Sequence, residues 1–144
     1  MRGNPYASRS WAACVVEVEL DPTLFEKRVR GVWTAVDCGE VIHRHRAESS
    51  LEIGIVQALE GCGFSPDLLP EEEGLFHLPE YREIPPVSIQ FNRNSRQRYA
   101  SGVGDLPYVM IPPAFTAALS QASGVYFDRL PLSSRGLYRY MEEQ

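Results

Sequence analysis

The sequence predicts an α+β fold, a hairpin-rich mixed or antiparallel sheet with two to three helices. Three observations lead there. Residues 12–20 and 28–36 alternate β-branched and polar side chains with period two. Residues 49–61 and 112–123 instead space their apolar side chains by three and four. The resulting order, β-β-α-β-α-(β)-α, opens with a hairpin and lacks regular β-α alternation.

The elements follow in order. Residues 1–10 are polar and read as a flexible arm, with 11–144 as a single domain. Ala12 to Leu20 interleaves valines with glutamates, as a half-buried strand does. Asp21-Pro22 turns the chain, and Arg28 to Val36 returns antiparallel to it. Ser49 and Glu52 have the spacing of a capping box, so a helix is expected from there. Leu51, Ile55 and Leu59 would form its buried stripe, and Gly61 and Gly63 its left-handed stop. Pro66 to Gly74, with Glu71 to Glu73, reads as a solvated loop. Pro86 to Phe91 gives a third strand, and Pro112-Pro113 is expected to open a second helix that Gly124 ends. Val125 to Phe127 reads as a short extended piece, and Ser133-Ser134 as the cap of a last helix.

Composition excludes several classes. The 144 residues suit one domain or a piece of something larger. With 14 Lys and Arg against 19 Asp and Glu, the net charge is −5, which opposes general nucleic-acid binding. Hydrophobic residues at 44% and charged residues at 23% oppose disorder. The longest apolar stretch, Tyr108 to Leu119, is broken by prolines and too short for a membrane span. No apolar signal segment is visible at Met1-Arg2-Gly3-Asn4-Pro5. Cys14, Cys38 and Cys62 form no C-x-x-C pair, and together these features imply reduced thiols in a cytoplasmic protein.

Four features invite a chemical reading. His43 and His45 would share a face if extended, but zinc needs a further ligand and His77 is remote, so an exposed basic loop is expected. Arg93, Arg96 and Arg98 could line an anion-binding edge, although such a loop is ordinarily just solvated. Gly102-Val103-Gly104-Asp105 would let backbone approach a ligand, or adopt positive φ, beside a carboxylate. Gly54 and Gln57 sit on the first helix, where glycine ordinarily permits close packing and a buried glutamine satisfies backbone.

Read together, these segments acquire a common meaning. Trp33 to Ile42 (WTAVDCGEVI) resembles a strand of the molybdenum hydroxylases, the xanthine dehydrogenase and aldehyde oxidase family. Leu51 to Leu59 (LEIGIVQAL) is similar to that family's glycine- and glutamine-bearing helix. Phe76-His77-Leu78-Pro79 with Glu83 to Val87 resembles a third family segment. Ser101 to Asp105 with Ile111 to Phe115 resembles the fourth, and Gly124 to Ser133 the fifth. The five stand in family order over roughly residues 11–135.

The resemblance implies the C-terminal part of a large, molybdopterin-binding subunit. Such enzymes hydroxylate carbon centres, often in N-heterocycles or aldehydes, with water as the oxygen source. By position, Asp105 would be the catalytic base, and Ser50, Gln57, Gly102 and Gly104 would bind the cofactor. The family has glutamate where Asp105 stands, proline at Leu106 and glutamine at Ser50. Aspartate is one methylene shorter, and a base misplaced by about 1 Å can lose around a hundredfold in rate. Iron–sulfur clusters and FAD would sit on partner domains or subunits, and the isolated chain is expected to carry no cofactor. Expected partners are the remaining molybdopterin-binding segments and those iron–sulfur and FAD subunits. Self-association through Trp11, Phe25 or Tyr108 is a further expectation, with no nucleic acid or membrane. Two alternatives stand beside this reading: a non-catalytic scaffold or degenerate relative that only completes the subunit fold, and an unrelated α+β binding domain.

Overall fold

The computed structural model describes residues 8–24, 26–64, 84–92 and 97–142. Phe25, the Glu71 to Glu73 run, the Phe76 to Pro79 motif with His77, Glu83, Arg93 and Arg96 lie outside the described residues. Two long strands, β1 (Trp11–Asp21) and β2 (Glu26–Asp37), form the expected antiparallel hairpin. Asp21 closes it, its Oδ1 accepting from the Thr23 and Leu24 amides at 2.8 and 3.1 Å. After α1 (Arg44–Gly61) the chain returns as β3 (Val87–Phe91), parallel to β2. The sheet order β1-β2-β3 is therefore mixed, with β2 central. The helices α2 (Leu106–Ser123) and α3 (Ser134–Glu142) complete the domain. None of these helices is long and apolar enough to cross a membrane.

The hairpin changes phase part-way. Glu17 pairs with Gly31 but Val18 with Val29, so Arg30 is an extra residue and β2 bulges. The bulge moves the buried side chains from Lys27 and Val29 to Val32, Thr34 and Val36. On the outer face, the Trp33 ring covers Gly31, where an added Cβ would meet Cη2 at 2.5 Å.

The core lies between the inner sheet face and the helices. Its main cluster joins Val16, Val29 and Val32 to Ile55, Leu59, Ile111, Phe115, Leu119 and Leu137. A second, smaller cluster joins Val36, Cys38, Leu51 and Phe91, with Val103 and Leu106 packed against it. Cys38 and Cys62 are buried free thiols; Cys14, half-buried, donates to the Met110 carbonyl at 3.2 Å.

Two helix starts differ from expectation. Ser49-x-x-Glu52 does not cap α1: the helix begins five residues earlier, at Arg44. Extended His43 (φ −139°) is the cap, its Nδ1 accepting the Arg46 amide at 3.3 Å. An Arg44–Glu48 pair at 2.8 Å then braces the first turn. His45 lies inside that turn, so the two imidazoles do not share an extended face. No metal-binding group of three His, Cys, Asp or Glu exists among the described residues.

Pro112-Pro113 likewise does not open α2. The helix starts at Leu106, with Pro107 in the first turn and the proline pair inside it. An interior proline costs about 3 kcal/mol, so two cost about 6. Ile111, Phe115 and Leu119, spaced by four, are fully buried. Each such burial stabilises by about 1.5–3 kcal/mol, so the three together are comparable in size to the two breaks. Burial against β1, not helix propensity, holds α2 together. Gly63 (φ +82°) follows α1 and Gly124 (φ +75°) caps α2 as expected, but Gly61 is the last residue of α1 itself and takes no left-handed φ. Ser133 Oγ accepts the Gly136 amide at 3.0 Å at the start of α3. Val125 to Phe127 carries no strand, although Val125 and Phe127 are buried.

Candidate functional site

The candidate residues gather where the first turn of α2 crosses α1. Ser50, Gly54 and Gln57, spaced by four and three, share one face of α1. Gly54 allows the crossing: a Cβ there would lie 2.8 Å from Pro107 Cγ and 3.7 Å from the Gly104 carbonyl oxygen. Across the same junction the Tyr108 hydroxyl donates to Gln57 Oε1. Gln57 is exposed, so it does not act as the buried backbone partner the sequence suggested.

The Gly102–Asp105 turn is anchored from below. Val103 and Leu106 are half-buried on the second core cluster, while Gly102, Gly104 and Asp105 are exposed. Leu106, where the resemblance expected proline, thus has a packing role of its own. Neither glycine has positive φ, and a Cβ on either would meet nothing within 4 Å. Space for a ligand beside the backbone is what these glycines provide, not a left-handed turn. Asp105 occupies the N-cap position of α2 (φ −85°, ψ −15°) without a side-chain capping bond. Its carboxylate is therefore uncommitted to the helix end.

Ser50 requires a correction. A helix beginning at the Ser49–Glu52 capping box would put Ser50 at its start. Ser50 instead lies in the second turn of α1, exposed, because His43 moves the helix start upstream. Of the arginine trio only Arg98 lies within the described residues, and it is exposed. Tyr108 is the residue that sequence reasoning missed as part of this junction. Its position one turn after Asp105 was a usable signal, but its pairing with Gln57 requires the helix crossing.

The α+β domain thus brings exposed polar residues and open glycines together at one helix crossing. The chain belongs to the molybdopterin cofactor-binding domain family, whose profile matches residues 1–77. A curated relative, subunit gamma of the 6-hydroxypseudooxynicotine dehydrogenase complex of Paenarthrobacter nicotinovorans, is 24% identical over 142 residues. That alignment takes in 89% of this chain and 18% of the relative. Among solved structures, aldehyde oxidoreductase from Desulfovibrio gigas superposes with a TM-score of 0.78 at 22% identity, over 92% of this chain and 15% of that one. Quinoline 2-oxidoreductase from Pseudomonas putida 86 gives 0.72 at 22%, over 88% and 18%. CO dehydrogenase from Oligotropha carboxidovorans gives 0.73 at 20%, over 93% and 18%. These likenesses establish the fold expected from the sequence. The chain spans less than a fifth of the length of the relatives it matches.

Proposed function

We propose that the chain is a cofactor-site component of a multi-subunit molybdenum hydroxylase, with Asp105 as the proton acceptor. The observation that carries this reading is the joint exposure of Gly102, Gly104, Asp105 and Gln57 at one helix crossing, over a packed base of Val103 and Leu106. The donor chemistry fits an anionic pterin. No side chain caps the N-terminus of α2, the glycines leave open space, and Gln57 has two N–H donors besides the Oε1 that Tyr108 engages. When bound, the molybdenum cofactor supplies the two-electron oxidation of the substrate carbon.

The residues of this chain have defined tasks. Gly102 and Gly104 admit the cofactor close to backbone, and Gln57 donates to it. Ser50, on the same face of α1 two turns before Gln57, offers a shorter reach than the family's glutamine. An Asp105 Oδ accepts the proton that hydroxylation releases. Iron–sulfur and FAD partners would take the electrons onward.

Asp105→Asn in the assembled enzyme tests this. Turnover should fall about 10²- to 10⁴-fold, since proton abstraction contributes on that scale. Asp105→Glu should retain or raise activity by restoring the family's reach. Equal turnover with asparagine would replace this reading with that of a scaffold which only completes the subunit.

A further inference from the structure

Resting on the reading of Asp105 above, we propose that Gln97, with Ser10 and Gly39, is a clamp that positions the Gly102–Asp105 turn. Three parts of the chain distant in sequence meet immediately before that turn. From the N-terminal side, the Ser10 hydroxyl donates to the Gly102 carbonyl at 2.7 Å, and the Arg9 amide donates to Gln97 Oε1 at 3.2 Å. Within the loop, Gln97 Nε2 donates to the Tyr99 carbonyl at 2.9 Å and also to the Ser101 hydroxyl. From the end of β2, the Cys38 carbonyl accepts the Ser101 amide at 2.9 Å.

Gly39 makes the last approach possible. It takes φ +75°, and a Cβ there would sit deep inside van der Waals contact of the Tyr99 carbonyl oxygen and 2.9 Å from Gln97 Nε2. Asp37 Oδ1 accepts the Gly39 amide at 3.2 Å, and Asp37 Oδ2 accepts from Asn92 Nδ2 at 2.9 Å. The Asp37-Cys38-Gly39 turn is thereby tied to the end of β3. The D-C-G segment thus forms the seat of the loop, and the side-chain amide of Gln97 bridges that loop to the entry of β1. Gly102 and Gly104 have no side chain of their own to fix the turn, so its position is set by these bonds and by Val103 and Leu106 below.

Hydrogen exchange on the whole chain tests the clamp without any need for turnover. Gln97→Leu removes three of these hydrogen bonds and should make amides of residues 99–106 exchange about tenfold faster, and Ser10→Ala, which removes one, should accelerate them less. Residues 51–59 of α1 should be unchanged, and Ser10→Thr should restore protection. Gly39→Ala should loosen the same residues; if it fails to fold, the first two variants still decide. Unchanged exchange at 99–106, or equal acceleration in α1, overturns the clamp. In the assembled enzyme, Gln97→Leu should lower kcat about tenfold with KM unchanged, because the base is displaced and substrate contacts are not. Loosening without loss of kcat would overturn the positioning role, whereas loss of protection alongside a normal Asp105→Asn enzyme would locate the error in the base assignment.

Discussion

Substituting Gly54 by alanine isolates the helix crossing on which the candidate site is built. Ordinary contact with a Cβ begins near 3.4 Å, and the one added here would stand 2.8 Å from Pro107 Cγ, so about 0.6 Å must be recovered by movement. The proline ring is rigid and buried, and the movement therefore falls on the first turn of α2. Overpacking of this kind costs about 1–3 kcal/mol. Alanine regains up to about 1 kcal/mol of helix propensity, leaving a net loss of about 0–2 kcal/mol. Gly61→Ala is the internal control. It lies in the same helix with nothing within 4 Å, and should stabilise by about 0.4–1 kcal/mol. The difference between the two variants, about 1–3 kcal/mol, should appear as a separation of roughly 3–9 °C in Tm by calorimetry. Pro107→Ala should narrow the gap in the double variant by removing the ring. In the assembled enzyme the same 0.6 Å displacement reaches Asp105 and should lower kcat about tenfold. If Gly54→Ala and Gly61→Ala raise Tm equally, the close crossing of α1 and α2 is wrong, and the argument for the site's geometry goes with it.

Two further expectations concern the rest of the molecule. Burial pushes the Cys62 thiol from its ordinary 9.0 up to about 11. The folded state therefore holds this proton where the unfolded state has lost it, so stability is complete below pH 9 and falls as pH rises toward 11. Thiol titration at pH 9 should show Cys62 reacting only on unfolding, and rapid native labelling would contradict its burial. The outer sheet face exposes Trp11 at 66%, Val15 at 63% and Trp33 at 44%, and the register sets Val15 directly opposite Trp33. Self-association through this face should appear by light scattering at high concentration and be reduced by Trp11→Glu with Val15→Glu. A clean monomer in the unsubstituted chain would remove this face from consideration.

Much of the fold was legible because its signals are local. Period-two alternation in β1 and β2 reflects one wet and one dry face, and Asp21-Pro22 marks their turn. Gly63 and Gly124 end helices because only glycine enters the left-handed region without penalty. The family was likewise readable, from several short segments taken together although overall identity to the relatives is 24% or less.

What failed was decided by a competing local cap in one helix and by packing at a distance in the other. The start of α1 at Arg44 depends on the His43 imidazole as an acceptor, which outcompetes the better-looking serine downstream. The start of α2 at Leu106 depends on burial of Ile111, Phe115 and Leu119, comparable in size to the cost of two interior prolines. The chain itself determined which residues could serve a site: a carboxylate, two glycines, a glutamine and a serine. Only the tertiary structure decided that Gly54 brings α2 onto α1, that Tyr108 meets Gln57, and that Val103 and Leu106 anchor the turn bearing Asp105. The physical reason is range: propensity and capping act over one turn of chain, whereas the packing that builds this junction joins residues some fifty positions apart.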